Sequence, residues 1–226
     1  MRNGKKLMSL FLIPTLCLGL LTPVTSMGTV EAAGEVQSYN GHYYMFVNEI
    51  VEVGTAGLQA DLMGGHLVTL TSAQEEEFVK KNVSGDTDIW LGATKQNGKW
   101  SWCTGEAFSY TNWHEGEPSN GSNENYLELW EGYWDDCDYD KNIGSGCAYV
   151  IEWDSKSAYD AYIQGNTTEM RKNITGTKTY NGHTYKYYSN KSTWKEAASY
   201  CKKLGGYLVT PTDKKENNFV YKLCGK

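Results

Sequence analysis

Positive charge is nearly missing from residues 34–154, which hold five lysines against 21 aspartates and glutamates. A net charge of −16 over that span speaks against a nucleic-acid partner and for a bound cation. Long apolar runs are missing too: after Leu21 no stretch is long and apolar enough to span a bilayer. Cysteine is thin, with three in residues 34–154, and nothing near them marks a lowered thiol pKa or a base. No nucleophile, base and orienting group come together as a set that would indicate covalent catalysis.

What is present begins with a targeting pattern. Arg2, Lys5 and Lys6 form a positive start, Leu7 to Leu21 an apolar segment, and Val30-Glu31-Ala32 a small-residue cleavage site. Residues 1–33 are therefore expected to be a signal peptide, and the chain to be exported. Removing them moves the formal charge from −6 to −8. Residues 155–226 carry 13 basic and five acidic residues, a reversal of sign that suggests two modules. Their lysines are scattered over a helix-like pattern and read as a solvated face.

The chain repeats itself at a spacing of 141 residues. Tyr39-Asn40-Gly41-His42 returns as Tyr180-Asn181-Gly182-His183, and Leu67-Val68-Thr69 as Leu208-Val209-Thr210. Gly64-Gly65 and Phe78-Val79 recur at the same shift. A gapless match of this kind signals a duplicated supersecondary unit. The expected organisation is one domain over 34–154, a polar linker over 155–176 with two Asn-x-Thr sequons, and about half of a second copy over 177–226. Half a domain buries little apolar surface, so it is expected to be marginal unless it docks elsewhere. His42 and His183, at equivalent positions, read as structural.

Within the first domain, Tyr43 to Val47 alternates like a strand, and Val51 to Met63 reads as a helix stopped by Gly64-Gly65. Ser72 followed by Glu75 opens a second helix through Lys81. Short aromatic strands follow at Ile89–Ala93, Trp100–Thr104, Tyr126–Trp130, Gly132–Asp135 and Ala148–Trp153. Two helices and then a run of strands indicate an α+β fold with an antiparallel sheet. The Glu75-Glu76-Glu77 run reads as a solvated helix face, and His114 as a surface residue.

Oxygen donors crowd Glu117 to Asp136. Glu117, Ser119 and Glu124 lie in a Gly/Ser/Asn loop, and Asp135 and Asp136 follow Trp134. A hard cation such as calcium takes six to eight such oxygens. A solvated acidic loop is the alternative reading. Cast as an acid/base pair, these carboxylates could also suggest a glycosidase, which requires a set separation across a cleft.

Several ordered motifs here resemble the C-type lectin domain family. Ile89-Trp90-Leu91-Gly92 is similar to its Trp-Ile-Gly strand, Glu117-Pro118-Ser119 to its Glu-Pro-Asn motif, and Trp134-Asp135-Asp136 to its Trp-Asn-Asp. Gly64-Gly65-His66-Leu67-Val68-Thr69 resembles the turn after its first helix. The resemblance covers Tyr39 to Trp153. It implies a C-type lectin-like α+β fold in which Glu117, Ser119, Glu124, Asp135 and Asp136 ring one Ca2+. It also implies a cis Glu117-Pro118 bond and a glycan or cell-surface glycoprotein as partner, not a reaction.

Two departures bear on that partner. The family's sugar-facing amides stand at the positions of Ser119 and Asp135, and this chain has replaced both. Asp135 accepts only when ionised, so a donor to sugar is lost while carboxylates rise to four. The expectation is a secure calcium site with weakened recognition of simple mannose, or a calcium-stabilised module for protein contact. Trp113, Trp130, Tyr133 and Trp134 could stack on a sugar or pack the core. The family's usual long disulfide falls on Ala60 and Ile151 here, and Tyr126 occupies one end of its shorter one. Cys137 and Cys147 flank a small loop they could close.

Overall fold

The computed structural model describes residues 8–13, 35–83, 87–121, 123–138 and 146–224. Its first described element is strand β1 (Met8–Ile13). A hairpin of β2 (Val36–Tyr39) and β3 (His42–Val51) follows. Its turn residues Asn40 and Gly41 have φ of 49° and 91°, the left-handed pair that a tight two-residue hairpin requires. Helix α1 (Val53–Leu62) stops at Gly64, where φ is 75° and the N–H groups of Gly64 and Gly65 return to the carbonyls of Asp61 and Ala60. A Cβ on Gly64 would fall 2.7 Å from the Met170 side chain, so packing and turn both demand glycine there.

After β4 (His66–Leu67), Ser72 caps α2 (Ala73–Asn82) by accepting from the Glu75 N–H at 3.2 Å. Then come β5 (Ile89–Gln96), β6 (Lys99–Trp102), β7 (Tyr126–Trp130), β8 (Tyr133–Cys137) and β9 (Cys147–Trp153). They join in the order β2-β3-β9-β5-β7-β8, with β4 on β9 and β6 on β5. Every pairing is antiparallel except β5 with β9. Each residue of β9 is buried, because Tyr149, Ile151 and Trp153 pack in one cluster with α1 and Ala148 and Val150 in another with Val79 of α2. Trp90, Trp134 and Trp153 are fully buried, each removing about 150–250 Å² from water. The architecture is α+β, as the pattern of two helices and aromatic strands indicates.

The second copy repeats this order with β10 (Lys178–Tyr180), β11 (His183–Lys191), α5 (Trp194–Lys203), β12 (Tyr207–Leu208) and α6 (Lys214–Leu223). Its contacts repeat as well. The Tyr44 hydroxyl donates to Glu75 at 2.9 Å, and that of Tyr185 to Glu216 at 2.8 Å. Tyr39 stacks on Phe78 at 4.8 Å, and Tyr180 on Phe219 at 4.9 Å. Strand β1 pairs with β11 and β12 in the register that β9 keeps with β3 and β4. Tyr44 and His66 face Glu152, while Tyr185 and Tyr207 face Leu12. Met8–Ile13 falls in the segment expected to be a signal peptide; the expected cleavage site lies outside the described residues.

The polar segment between the copies is folded. Ser155 caps α3 (Lys156–Ile163) and Asn166 caps α4 (Thr167–Lys172). Met170 seats against Gly64, and Asn173 donates to the Gly64 carbonyl at 3.1 Å. The second copy docks on α1, where Leu58 packs with Tyr188, Cys201 and Leu204. Asp61, buried on α1, pairs with Lys186 at 2.5 Å and accepts from the Tyr188 hydroxyl.

Two expectations are corrected. Glu75 and Glu76 are buried, because Tyr44 and Thr71 donate to the first, and Trp134 of β8 with Tyr110 and Asn112 of the long loop to the second; only Glu77 of that run faces solvent. Cys137 and Cys147 stand as thiols with separate partners. Cys147 donates to Glu128 at 2.8 Å and Cys137 to the Tyr126 carbonyl at 3.6 Å. Cys201 is fully buried, and burial pushes its thiol up to about 12.

Candidate metal and ligand site

The loop between β6 and β7 brings Glu117, Ser119 and Glu124 to β8, which carries Asp135 and Asp136. Carboxylate oxygens of Glu117, Asp135 and Asp136 lie within 4.8 Å of one another. The Glu117-Pro118 bond is cis. Ser119 knits the set together: its N–H donates to Glu117 at 2.6 Å and to Asp136 at 2.7 Å, and its hydroxyl donates to Glu124 at 2.7 Å. The Gly121 N–H also donates to Glu124, at 2.5 Å. All five residues singled out from the sequence therefore belong to one cluster, four in direct contact through Ser119 and the fifth, Asp135, through Glu117 and Asp136.

Two participants are not evident from the motifs. Lys95, on β5, places its ammonium 2.9 Å from Asp136 and 5.4 Å from the Trp100 ring centroid. Its side chain is only 9 % exposed, and the Asp136 side chain not at all. Burial alone would raise the Asp136 carboxyl, but the Lys95 ammonium, with Glu117 and the Ser119 N–H, brings it below its ordinary range. Burial, with Asp136 and Asp135 beside it, raises Glu117. Four carboxylates and one ammonium give the cluster a formal charge of −3.

The other is Glu76. From α2 it accepts from Asn112 at 2.5 Å, the Trp134 indole at 2.9 Å, Lys80 at 3.0 Å and Tyr110 at 3.2 Å. It thus fixes the long loop and the residue before Asp135 to one helix. A glutamate four residues before a lysine is an ordinary surface pattern; only the fold brings Trp134 to it.

The aromatic residues divide. Trp134 is buried and Trp113 packs against the core. Trp130 and Tyr133, at the β7–β8 turn, meet the His114 ring at 4.9 and 5.7 Å, and Tyr133 is 49 % exposed.

The family described as the lectin C-type domain matches residues 59–147 and 190–225, together more than half of the chain. The chain belongs to the C-type lectin domain family. It is 33 % identical over 101 residues to a perlucin-like protein of Mytilus galloprovincialis, covering 42 % of this chain and 65 % of that one. It is 31 % identical over 107 residues to asialoglycoprotein receptor 1 of Rattus norvegicus, covering 43 % of this chain and 37 % of the receptor. The chain thus spans less than two thirds of the length of these relatives. The carbohydrate-recognition domain of the mouse scavenger receptor C-type lectin superposes with a TM-score of 0.48 at 26 % identity, over 54 % of this chain and 96 % of that one. Among the described residues no helix is long and apolar enough to cross a membrane.

The donor set suits calcium. It consists of hard carboxylate and hydroxyl oxygens, with backbone N–H groups holding the loop that carries them. Glu117, Glu124, Asp135 and Asp136 would hold the ion, with Ser119 supplying a hydroxyl. Against that ion the cluster would keep a net −1, since Lys95 cancels one of the four carboxylates.

Proposed function

We propose that the chain is an exported, calcium-dependent carbohydrate-binding module, acting in glycan recognition or adhesion outside the cell. The convergence of Glu117, Asp135 and Asp136 with Ser119-bound Glu124 carries this reading. A lectin site of this kind lets two neighbouring sugar hydroxyls join the ion's shell while carboxylates accept their protons. Ser119 spends its hydroxyl proton on Glu124, and Asp135 has none to give when ionised. A polar site that meets a ligand hydroxyl unpartnered loses roughly 1–3 kcal/mol per bond. Those two residues therefore favour a second reading, a calcium-stabilised module that contacts protein and binds no sugar.

A glycan array run with and without chelator separates the two. Chelator-sensitive glycan signal supports the lectin. Calcium-dependent melting with no glycan signal supports the contact module, and the absence of both removes the calcium site itself.

A further inference from the structure

On the first domain, away from Glu117, a second cluster mixes nitrogen with oxygen. Strand β9 runs between β3 and β4 at its end, so Glu152 and Asp154 meet His42 from one side and His66 from the other. His42 Nδ1 is 2.6 Å from Glu152 Oε1 and 3.8 Å from Asp154 Oδ1. His66 Nε2 is 2.9 Å from the same Asp154 Oδ1. The ligand atoms of His42, Glu152 and Asp154 all lie within 4.8 Å of one another, and His66 stands outside that set, reaching it through Asp154.

The surroundings orient these groups. His66 is 3 % exposed and donates its Nδ1–H to the Leu67 carbonyl at 2.9 Å, which fixes the ring and leaves Nε2 aimed at Asp154. A ring fixed in this way orients the carboxylate it meets, and ligating carboxylates are commonly held by such hydrogen bonds. The Thr69 N–H takes Glu152 Oε2 at 2.9 Å and leaves Oε1 facing His42. Asp154 is 56 % exposed and His42 29 %, so an ion has a way in.

We propose that His42, Glu152 and Asp154 form a three-residue site for a zinc-class divalent ion, with His66 holding Asp154 in place. An imidazole and two carboxylates with a position left open are ligands such an ion takes, where calcium takes oxygen alone. Tetrahedral bonds of about 2.0–2.1 Å put neighbouring donors about 3.3 Å apart, between the separations found here. Two carboxylates and one neutral ring balance the ion's charge, which suits a site whose Glu152 is buried. Binding displaces the proton from His42 Nδ1. The second copy has His183 but carries Tyr207 and Leu12 where the first has His66 and Glu152, so one ion is expected per chain.

The test is calorimetric titration of zinc into the chelator-stripped full chain, with melting followed in parallel. One saturable equivalent is expected, with Tm raised about 5–10 °C at 100-fold excess over Kd. Asp154→Asn and His42→Gln, both at partly exposed positions, are expected to weaken zinc at least about tenfold. Glu117→Gln is expected to leave zinc unchanged while weakening calcium. Far-UV dichroism without metal establishes that each variant is folded. No saturable equivalent, undiminished zinc binding in folded Asp154→Asn and His42→Gln, or loss of zinc in Glu117→Gln would each overturn the assignment. Because zinc and calcium are read separately, failure here is distinct from failure of the calcium site.

Discussion

Lys95 holds its ammonium 2.9 Å from a carboxylate oxygen of Asp136, inside the cluster that fits calcium. A buried cation there does in part what a bound ion would do, by relieving repulsion among four carboxylates. Lys95→Met keeps most of the stem over Trp100 and removes the charge. Without calcium the variant is expected to lose about 2–4 kcal/mol, since Asp136 is left buried without its ammonium. With calcium the rise in Tm is expected to exceed that of the wild type. Thermal melts across a calcium series measure both, and a smaller calcium response in the variant would count against Lys95 as a competitor.

The positions lacking amides can be tested by restoring them. The double variant Ser119→Asn and Asp135→Asn supplies two donors and removes one formal charge. If each new hydrogen bond contributes about 1 kcal/mol, sugar affinity rises by on the order of tenfold or more, while calcium affinity falls. Titration of mannose and galactose at saturating calcium reads the first, and a calcium titration the second. Unchanged sugar binding with calcium still bound would favour the protein-contact reading.

Glu76 ties α2 to the loop and to Trp134. Glu76→Ala leaves the buried Trp134 indole and the half-buried Asn112 amide without this acceptor, at an expected cost of about 3–5 kcal/mol. Glu76→Gln keeps one acceptor oxygen and is expected to cost less. Because Trp134 precedes Asp135, both variants should weaken calcium in proportion to their loss of stability. Urea unfolding with and without calcium checks this; a destabilised variant with wild-type calcium affinity would separate the helix from the site.

Much of this arrangement was legible in the sequence because local rules and fold agree. Ser72 caps the helix it precedes, Asn40-Gly41 makes the turn its residue types suit, and the strands fall within a few residues of the aromatic alternations. That Glu117, Ser119, Glu124, Asp135 and Asp136 lie together was legible from motif and spacing. The remainder depends on contacts distant in sequence. The burial of Glu75 and Glu76 follows from Tyr44, Tyr110 and Trp134, which lie 31 to 58 residues away. Lys95 is 41 residues from Asp136 and shows no pattern in its own neighbourhood. The segment after Ser155 is polar because its helices expose most of their surface. Its anchors are Met170 against Gly64, Tyr159 and Tyr162 against Trp153, and buried Ala161 and Ile174, apolar side chains too scattered for composition to single out.

The second copy is held by a buried polar contact whose pH response can be worked out. Burial raises the Asp61 carboxyl in spite of the Lys186 ammonium and the Tyr188 hydroxyl that favour its ionised form. The folded state therefore holds the Asp61 proton more tightly than the unfolded chain does. Stability from this group is fully present below the unfolded value of about 3.9 and is lost as pH rises through the folded value. Asp61→Asn carries an amide at every pH and removes that slope, while still offering an oxygen to Lys186 and Tyr188. The stability of the wild type minus that of Asp61→Asn is thus expected to fall between about pH 4 and the folded value. Denaturant melts at stepped pH measure the difference. A difference that grows with pH would mean that Lys186 outweighs burial, and that the copies are joined by an ion pair that strengthens as Asp61 ionises.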